Sequence, residues 1–147
     1  KVQGLIDAAR SQGATVHLGG ERRGCFVPPT ILSGLSPSSG IEQTEVFGPV
    51  LSMTPFDDDE EAVRLATCTQ YGLAAVVFTS SLARAHALPA RLHHGIVWVN
   101  TWMSRDLRTP FGGHRHSGVG REGGAEALKF FTEPTTVCIA VDGPGPR

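Results

Sequence analysis

Three short apolar runs set what this chain can fold into. Residues 50–56, 73–79 and 96–99 are dominated by apolar side chains, and amphipathic stretches separate them. Strand, helix, strand, helix, strand in that order is the signature of parallel βαβ units. The middle run is continuously apolar and β-branched, as expected of a strand covered on both faces. Asp57, Asp58 and Asp59 supply an N-cap and a negative first turn to the first helix, whose inner face is Ala62, Leu65, Ala66 and Thr69. Ser80 or Ser81 caps the second, with Leu82, Ala85 and Leu92 inward and Gly95 as its stop. Pro89 falls inside that second helix and predicts a kink or a split. The fold class is α/β: a parallel βαβ sheet with flanking helices. Ligands meet such sheets at the loops after the strands, which singles out the loop over residues 100–120.

The flanks add further elements. Val2, Leu5, Ile6 and Ala9 follow helical spacing, with Gly13 as a stop. Residues 15–18 read as a strand closed by Gly19-Gly20. Pro28-Pro29 push any following strand to start after them. Residues 33–40 read as a loop and 122–131 as a helix carrying Ala125 and Leu128 on one face. Residues 135–141 alternate, so Val137, Ile139 and Val141 share a side. Left unpaired, that segment is an adhesive edge. The Gly- and Pro-rich residues 142–147 read as a disordered tail.

A length of 147 residues implies one domain. A net charge of −1 gives no electrostatic case for nucleic acid or an acidic membrane. No apolar run approaches the roughly 20 residues needed to span a bilayer, and no signal peptide opens the chain. The start at a helical Lys, without Met, reads as a piece of a longer protein. Cys25, Cys68 and Cys138 are an odd set without a pairing pattern, so reduced thiols in a cytoplasmic protein are expected.

The chemistry concentrates in Glu45-Val46-Phe47-Gly48-Pro49-Val50. A carboxylate can accept hydrogen bonds from both hydroxyls of a ribose. An aromatic two residues on, on the same face of an extended segment, can lie against a planar ring. Gly48-Pro49 then turns the backbone. The bland alternative is a surface acid and a core aromatic. Farther along, Trp102-Met103-Ser104-Arg105-Asp106-Leu107-Arg108 offers an aromatic and a thioether to wall an apolar slot. Its two arginines can grip a carboxylate. Alternatively Arg105 pairs with Asp106 or another acid and only shapes the loop, a reading favoured for Arg108. Asn100 and Pro110-Phe111-Gly112-Gly113 frame this loop, by side-chain hydrogen bonding and by close backbone approach.

With Tyr71-Gly72-Leu73-Ala74-Ala75, Gly95-Ile96-Val97-Trp98-Val99-Asn100 and Ser117-Gly118-Val119-Gly120-Arg121-Glu122, these motifs in this order resemble the C-terminal part of an NAD(P)-dependent aldehyde dehydrogenase. The resemblance runs from about Lys1 to Val141, and the 102–108 stretch is similar to that of aminomuconate and hydroxymuconate semialdehyde dehydrogenases. It implies that residues 1–134 are part of the catalytic domain and residues 135–141 an oligomerisation strand, making a homo-oligomer. It implies Glu45 on the nicotinamide-side ribose and Phe47 near the nicotinamide. It implies Trp102, Arg105 and Phe111 around a carboxylate-bearing semialdehyde. The cofactor is then NAD, with NADP not separable because the discriminating residue lies upstream. The family's nucleophilic cysteine, glutamate base and dinucleotide domain also belong upstream of Lys1, and Cys25, Cys68 and Cys138 fit none of these roles. No catalytic residue is therefore assigned, and the chain alone is expected to be inactive. Thr44 and Arg115 replace an acid and a lysine common in the family. A non-catalytic interaction module, or a free-standing nucleotide binder using Glu45, are the alternatives.

Two patterns are decoys. Gly118 to Gly123 match G-x-G-x-x-G, but the stretch before them is polar and no βαβ unit follows. His93-His94 and His114-Arg115-His116 lack the cysteine or carboxylate that would complete a metal set.

Overall fold

Helix α1, Val2–Ser11, buries Ile6 and Ala9 on the face that the sequence spacing marks. This is a computed structural model, and it describes residues 1–141 and 143. Strand β1 (Thr15–Leu18) follows, then β2 (Thr30–Ser33), which starts just past the two prolines. A short helix, α2 (Gly40–Gln43), follows the expected loop over residues 33–40. Strand β3 covers Val50–Met53, shorter than the apolar run that encodes it.

Helix α3, Asp59–Thr67, starts where the carboxylate of Asp58 accepts the Glu61 amide at 2.8 Å. This is an N-cap, and it satisfies one orphan donor of the first turn. Strand β4 is Ala74–Val77 and β5 is Ile96–Val99. Between them α4, Leu82–Ala87, is capped by Ser81, and Pro89 opens a separate 3₁₀ turn over Pro89–Arg91. The proline thus splits the helix. Helix α5, Gly124–Phe131, closes the order.

Two parallel pairings are present, β2 with β3 and β4 with β5. They lie in separate sheets, β1-β2-β3 and β4-β5. Strand β1 runs antiparallel to β2, which the βαβ pattern did not predict. The chief hydrophobic core sits under the first sheet, where Ala9, Leu32 and Ile41 meet Leu5, Val16 and Val50.

Several helical faces expected to point inward are open. Leu82 is 73% exposed and Leu128 70%; Ala66 and Ala125 are exposed too. Strand β4 is only half-buried. Periodicity marks which face is apolar; it does not say what covers it. Helix α5 also starts later than expected, because Glu122 is held in a two-way backbone bridge with Phe111 at 2.8 Å. Its N-cap is Gly123, with no side-chain cap hydrogen bond among the described residues. Among the described residues nothing pairs with residues 135–141, and Val137, Ile139 and Val141 are exposed. The tail expectation for residues 142–147 lies, except at Gly143, outside the described residues. Among the described residues no helix is long and apolar enough to cross a membrane.

Candidate functional site

The loop that carries Glu45 is braced from α1. Lys1 donates Nζ–H to the Glu45 carbonyl at 2.7 Å. Gly48 faces Val2 so closely that an added Cβ would lie 2.8 Å from Val2 Cγ2. The Val50 amide donates to the Gly48 carbonyl at 2.8 Å, closing a tight turn over Pro49. Phe47 has φ +55°, in the left-handed region, and its ring is 85% exposed. The backbone is therefore not extended there, and strand alternation does not put Glu45 and Phe47 on one face. Nor is Phe47 a core residue.

The Glu45 side chain is exposed and, among the described residues, makes no ion pair. It lines a cavity of about 370 Å³ with Tyr71, Leu73, His94 and Ser117. An adjoining cavity of about 340 Å³ shares Leu73 and Ser117 and is lined by Phe111, Arg121 and Phe130. The wall between them is stitched tightly. Ser117 Oγ accepts the Gly72 amide at 3.0 Å. The Gly72 carbonyl accepts the Gly95 amide at 3.0 Å and the His114 amide at 2.9 Å. Gly95 packs against the Gly112 carbonyl with no room for a Cβ. Burial, and then the charges of Arg115, His114 and His93, hold the His94 imidazole below its ordinary pKa. His94 Nδ1 is buried without a hydrogen-bond partner among the described residues.

The second loop leaves β5 through Asn100, itself left-handed at φ +54°. Its side chain clamps the end of β4: Nδ2 donates to the Thr79 carbonyl and Oδ1 accepts the Thr79 amide, both at 2.8 Å. Trp102 meets Trp98 edge-on, ring centres 5.0 Å apart. Trp98 donates its indole N–H to the Ser104 carbonyl at 2.7 Å. Arg105 lies with its guanidinium carbon 4.3 Å from the Phe111 ring centre and pairs with Glu122 at 3.2 Å. Arg108 instead folds onto Asp106 and holds that carboxyl below the usual range.

The structure thus joins Arg105 to Phe111, and sets Trp102 edge-on against Trp98. Glu45 and Phe111 line neighbouring cavities with a common wall. Arg105 is not part of the lining of the Glu45 cavity. The nearby acid that pairs with Arg105 is Glu122, not Asp106. Sequence reasoning weighed His94 only as a metal ligand, and quoted Leu73 and Trp98 within motifs without giving either a role of its own. Leu73 and Trp98 sit in apolar runs that read as strand, which hides their outward roles. Gly118–Gly123 follows no strand and binds its own loop: Arg121 Nη1 donates to the Gly113 and Gly120 carbonyls, both at 2.8 Å. Among the described residues no group of His, Cys, Asp and Glu could hold a metal. All three cysteines are free and exposed.

Two parallel strand pairs carry an acid-bearing and an arginine-bearing loop, and Glu45 and Phe111 from them line two adjoining cavities. The chain belongs to the aldehyde dehydrogenase family, whose model matches residues 1–137. A 2-aminomuconic 6-semialdehyde dehydrogenase of a Pseudomonas species is 46% identical over 99% of this chain and 31% of its own length. A 2-hydroxymuconic semialdehyde dehydrogenase of Pseudomonas putida is 44% identical over 95% of this chain and 30% of its own. The chain therefore spans under a third of the length of these curated relatives. Among solved structures, HpcC of Thermus thermophilus superposes with a TM-score of 0.88 at 42% identity, covering 99% of this chain and 31% of that one. The Pseudomonas syringae indole-3-acetaldehyde dehydrogenase AldA, a mutant in complex with NAD+ and IAA, gives 0.85 at 41% identity, covering 90% and 28%.

Proposed function

We propose that this chain forms one wall of the active site of an NAD-dependent aldehyde dehydrogenase that oxidises a carboxylate-bearing semialdehyde to the acid. The observation that carries the substrate class is Arg105, held on Phe111 and partly shielded, with a carboxylate already beside it. Glu122 engages only Nη2 of the fork, which leaves donors for a second carboxylate. Trp102 and Phe111 supply apolar walls for the carbon chain. The relatives named for semialdehydes with an acid group support the same choice.

Glu45 is suited to a ribose because its carboxylate is unpaired, faces a cavity and is fixed through its own carbonyl by Lys1. The exposed Phe47 ring, next to it, is free to pack against a planar group. The nicotinamide of NAD would supply the hydride acceptor. These residues bind and orient; the nucleophile and base are assigned to polypeptide outside residues 1–147, as is the choice between NAD and NADP. Three exposed thiols suit a reducing cytoplasm.

The test is turnover. The complete enzyme should form NADH from NAD with an acidic semialdehyde, and the purified 147-residue chain should form none. NADH from the chain alone would defeat this assignment. A second reading, an interaction module, draws on the unpaired and apolar residues 135–141. Light scattering distinguishes it, since a clean monomer would argue against association through that edge.

A further inference from the structure

Trp98 is the buried aromatic of β5, 8% exposed, and its N–H reaches out of the core. It donates to the Ser104 carbonyl at 2.7 Å. That carbonyl belongs to the peptide unit joining Ser104 to Arg105. A peptide unit is planar, so fixing the direction of its oxygen fixes the plane from which the Arg105 side chain departs. Trp102 lies edge-on to the same indole, and Met103, between Trp102 and Ser104 in the chain, takes φ +55°. Such a conformation costs a long side chain energy and persists only where its surroundings impose it. The Asn100–Thr79 clamp anchors the loop behind this point. Ahead of it, Arg105 rests on Phe111. A continuous line of contacts therefore runs from Trp98 through the Ser104 carbonyl to Arg105.

We propose that Trp98 is a specificity-determining positioning residue: its indole N–H orients the Ser104–Arg105 peptide so that Arg105 meets the acid end of the substrate. This rests on the reading above that Arg105 receives a substrate carboxylate. A tryptophan serving only to fill the core would affect all aldehydes alike.

The test uses the complete enzyme with Trp98→Phe, and with 3-benzothienylalanine placed at position 98, which keeps the indole shape without the N–H. kcat and KM are compared for an aldehyde bearing a carboxylate and a neutral aldehyde of equal length. KM for the acidic aldehyde should rise about five- to tenfold, the weight of one hydrogen bond. kcat for both, and KM for the neutral aldehyde, should stay within about twofold. In an Arg105→Ala background the same replacement should leave the acid-to-neutral preference unchanged, because Trp98 acts through Arg105. Equal losses for the two aldehydes, or a preference shift that survives in that background, would overturn the proposal. If Trp98→Phe does not fold, the sulfur analogue decides. If Arg105→Ala alone leaves the preference intact, the substrate reading fails and this inference with it. If Arg105→Ala abolishes the preference and neither replacement at position 98 moves it, only the role of Trp98 fails.

Discussion

The guanidinium carbon of Arg105 sits 4.3 Å from the centre of the Phe111 ring, and Glu122 pairs with the same side chain at 3.2 Å. A cation placed this way has lost conformational freedom before any ligand arrives. In the complete enzyme, Arg105→Ala should lower kcat/KM for an acidic aldehyde by about 10- to 100-fold, the range of a charge-assisted hydrogen bond. A neutral aldehyde should change by less than about threefold. Steady-state kinetics on the matched pair checks this, and parallel losses would remove the carboxylate from the argument.

Glu45 should govern the coenzyme side alone. Glu45→Gln keeps the shape but loses the charge that strengthens its hydrogen bonds to ribose hydroxyls. The expected outcome in the complete enzyme is a rise of about tenfold in KM for NAD, with KM for the aldehyde within about twofold. A change confined to the aldehyde would place this side chain elsewhere in the cycle.

Asn100 combines two needs in one residue. Its side chain makes two backbone hydrogen bonds to Thr79, and its backbone is left-handed. Asn100→Gly removes the bonds but tolerates the backbone, at about 1–2 kcal/mol. Asn100→Ala loses both and should cost about 1 kcal/mol more. Urea unfolding of the two variants would show the order; Ala equal to or milder than Gly would contradict it.

His94 should make stability depend on pH. Its folded pKa is held below the ordinary value of 6.5 by burial and the nearby positive groups. The unfolded chain therefore takes up a proton first as pH falls, and the folded state loses stability below about 6.5. Above that value the contribution is fully present. Tm measured at about pH 7.5 and pH 5.5 should fall less for His94→Gln than for the unaltered chain. An identical drop would remove His94 as the source of the acid sensitivity.

Local signals in the sequence read through to the structure. The caps at Asp58 and Ser81, the strand start after Pro29 and the break at Pro89 each depend on neighbours a few residues away. Membership of the family, and the α/β class, were legible in the order of motifs. The antiparallel partner of β2 and the division into two sheets were not, because pairing depends on residues far apart in the chain. The left-handed backbone at Phe47 was also hidden, since an aromatic side chain gives no hint of positive φ. In the site, Arg105 and Phe111 were named from the sequence and meet in space. Glu122, their third member, was taken only for the start of a helix. Trp98 looked like any apolar strand residue, and its indole N–H reaches the Ser104 carbonyl.

The clamp from Asn100 to Thr79, the indole of Trp98 and the carboxylate of Glu122 all come from residues 79–122. Among the described residues, Arg105 thus draws these supports from the stretch that carries it. Evolution can exchange such a stretch as a cassette: transplanted whole into a relative that prefers neutral aldehydes, it should bring a taste for acids along, whereas the arginine transplanted by itself should not.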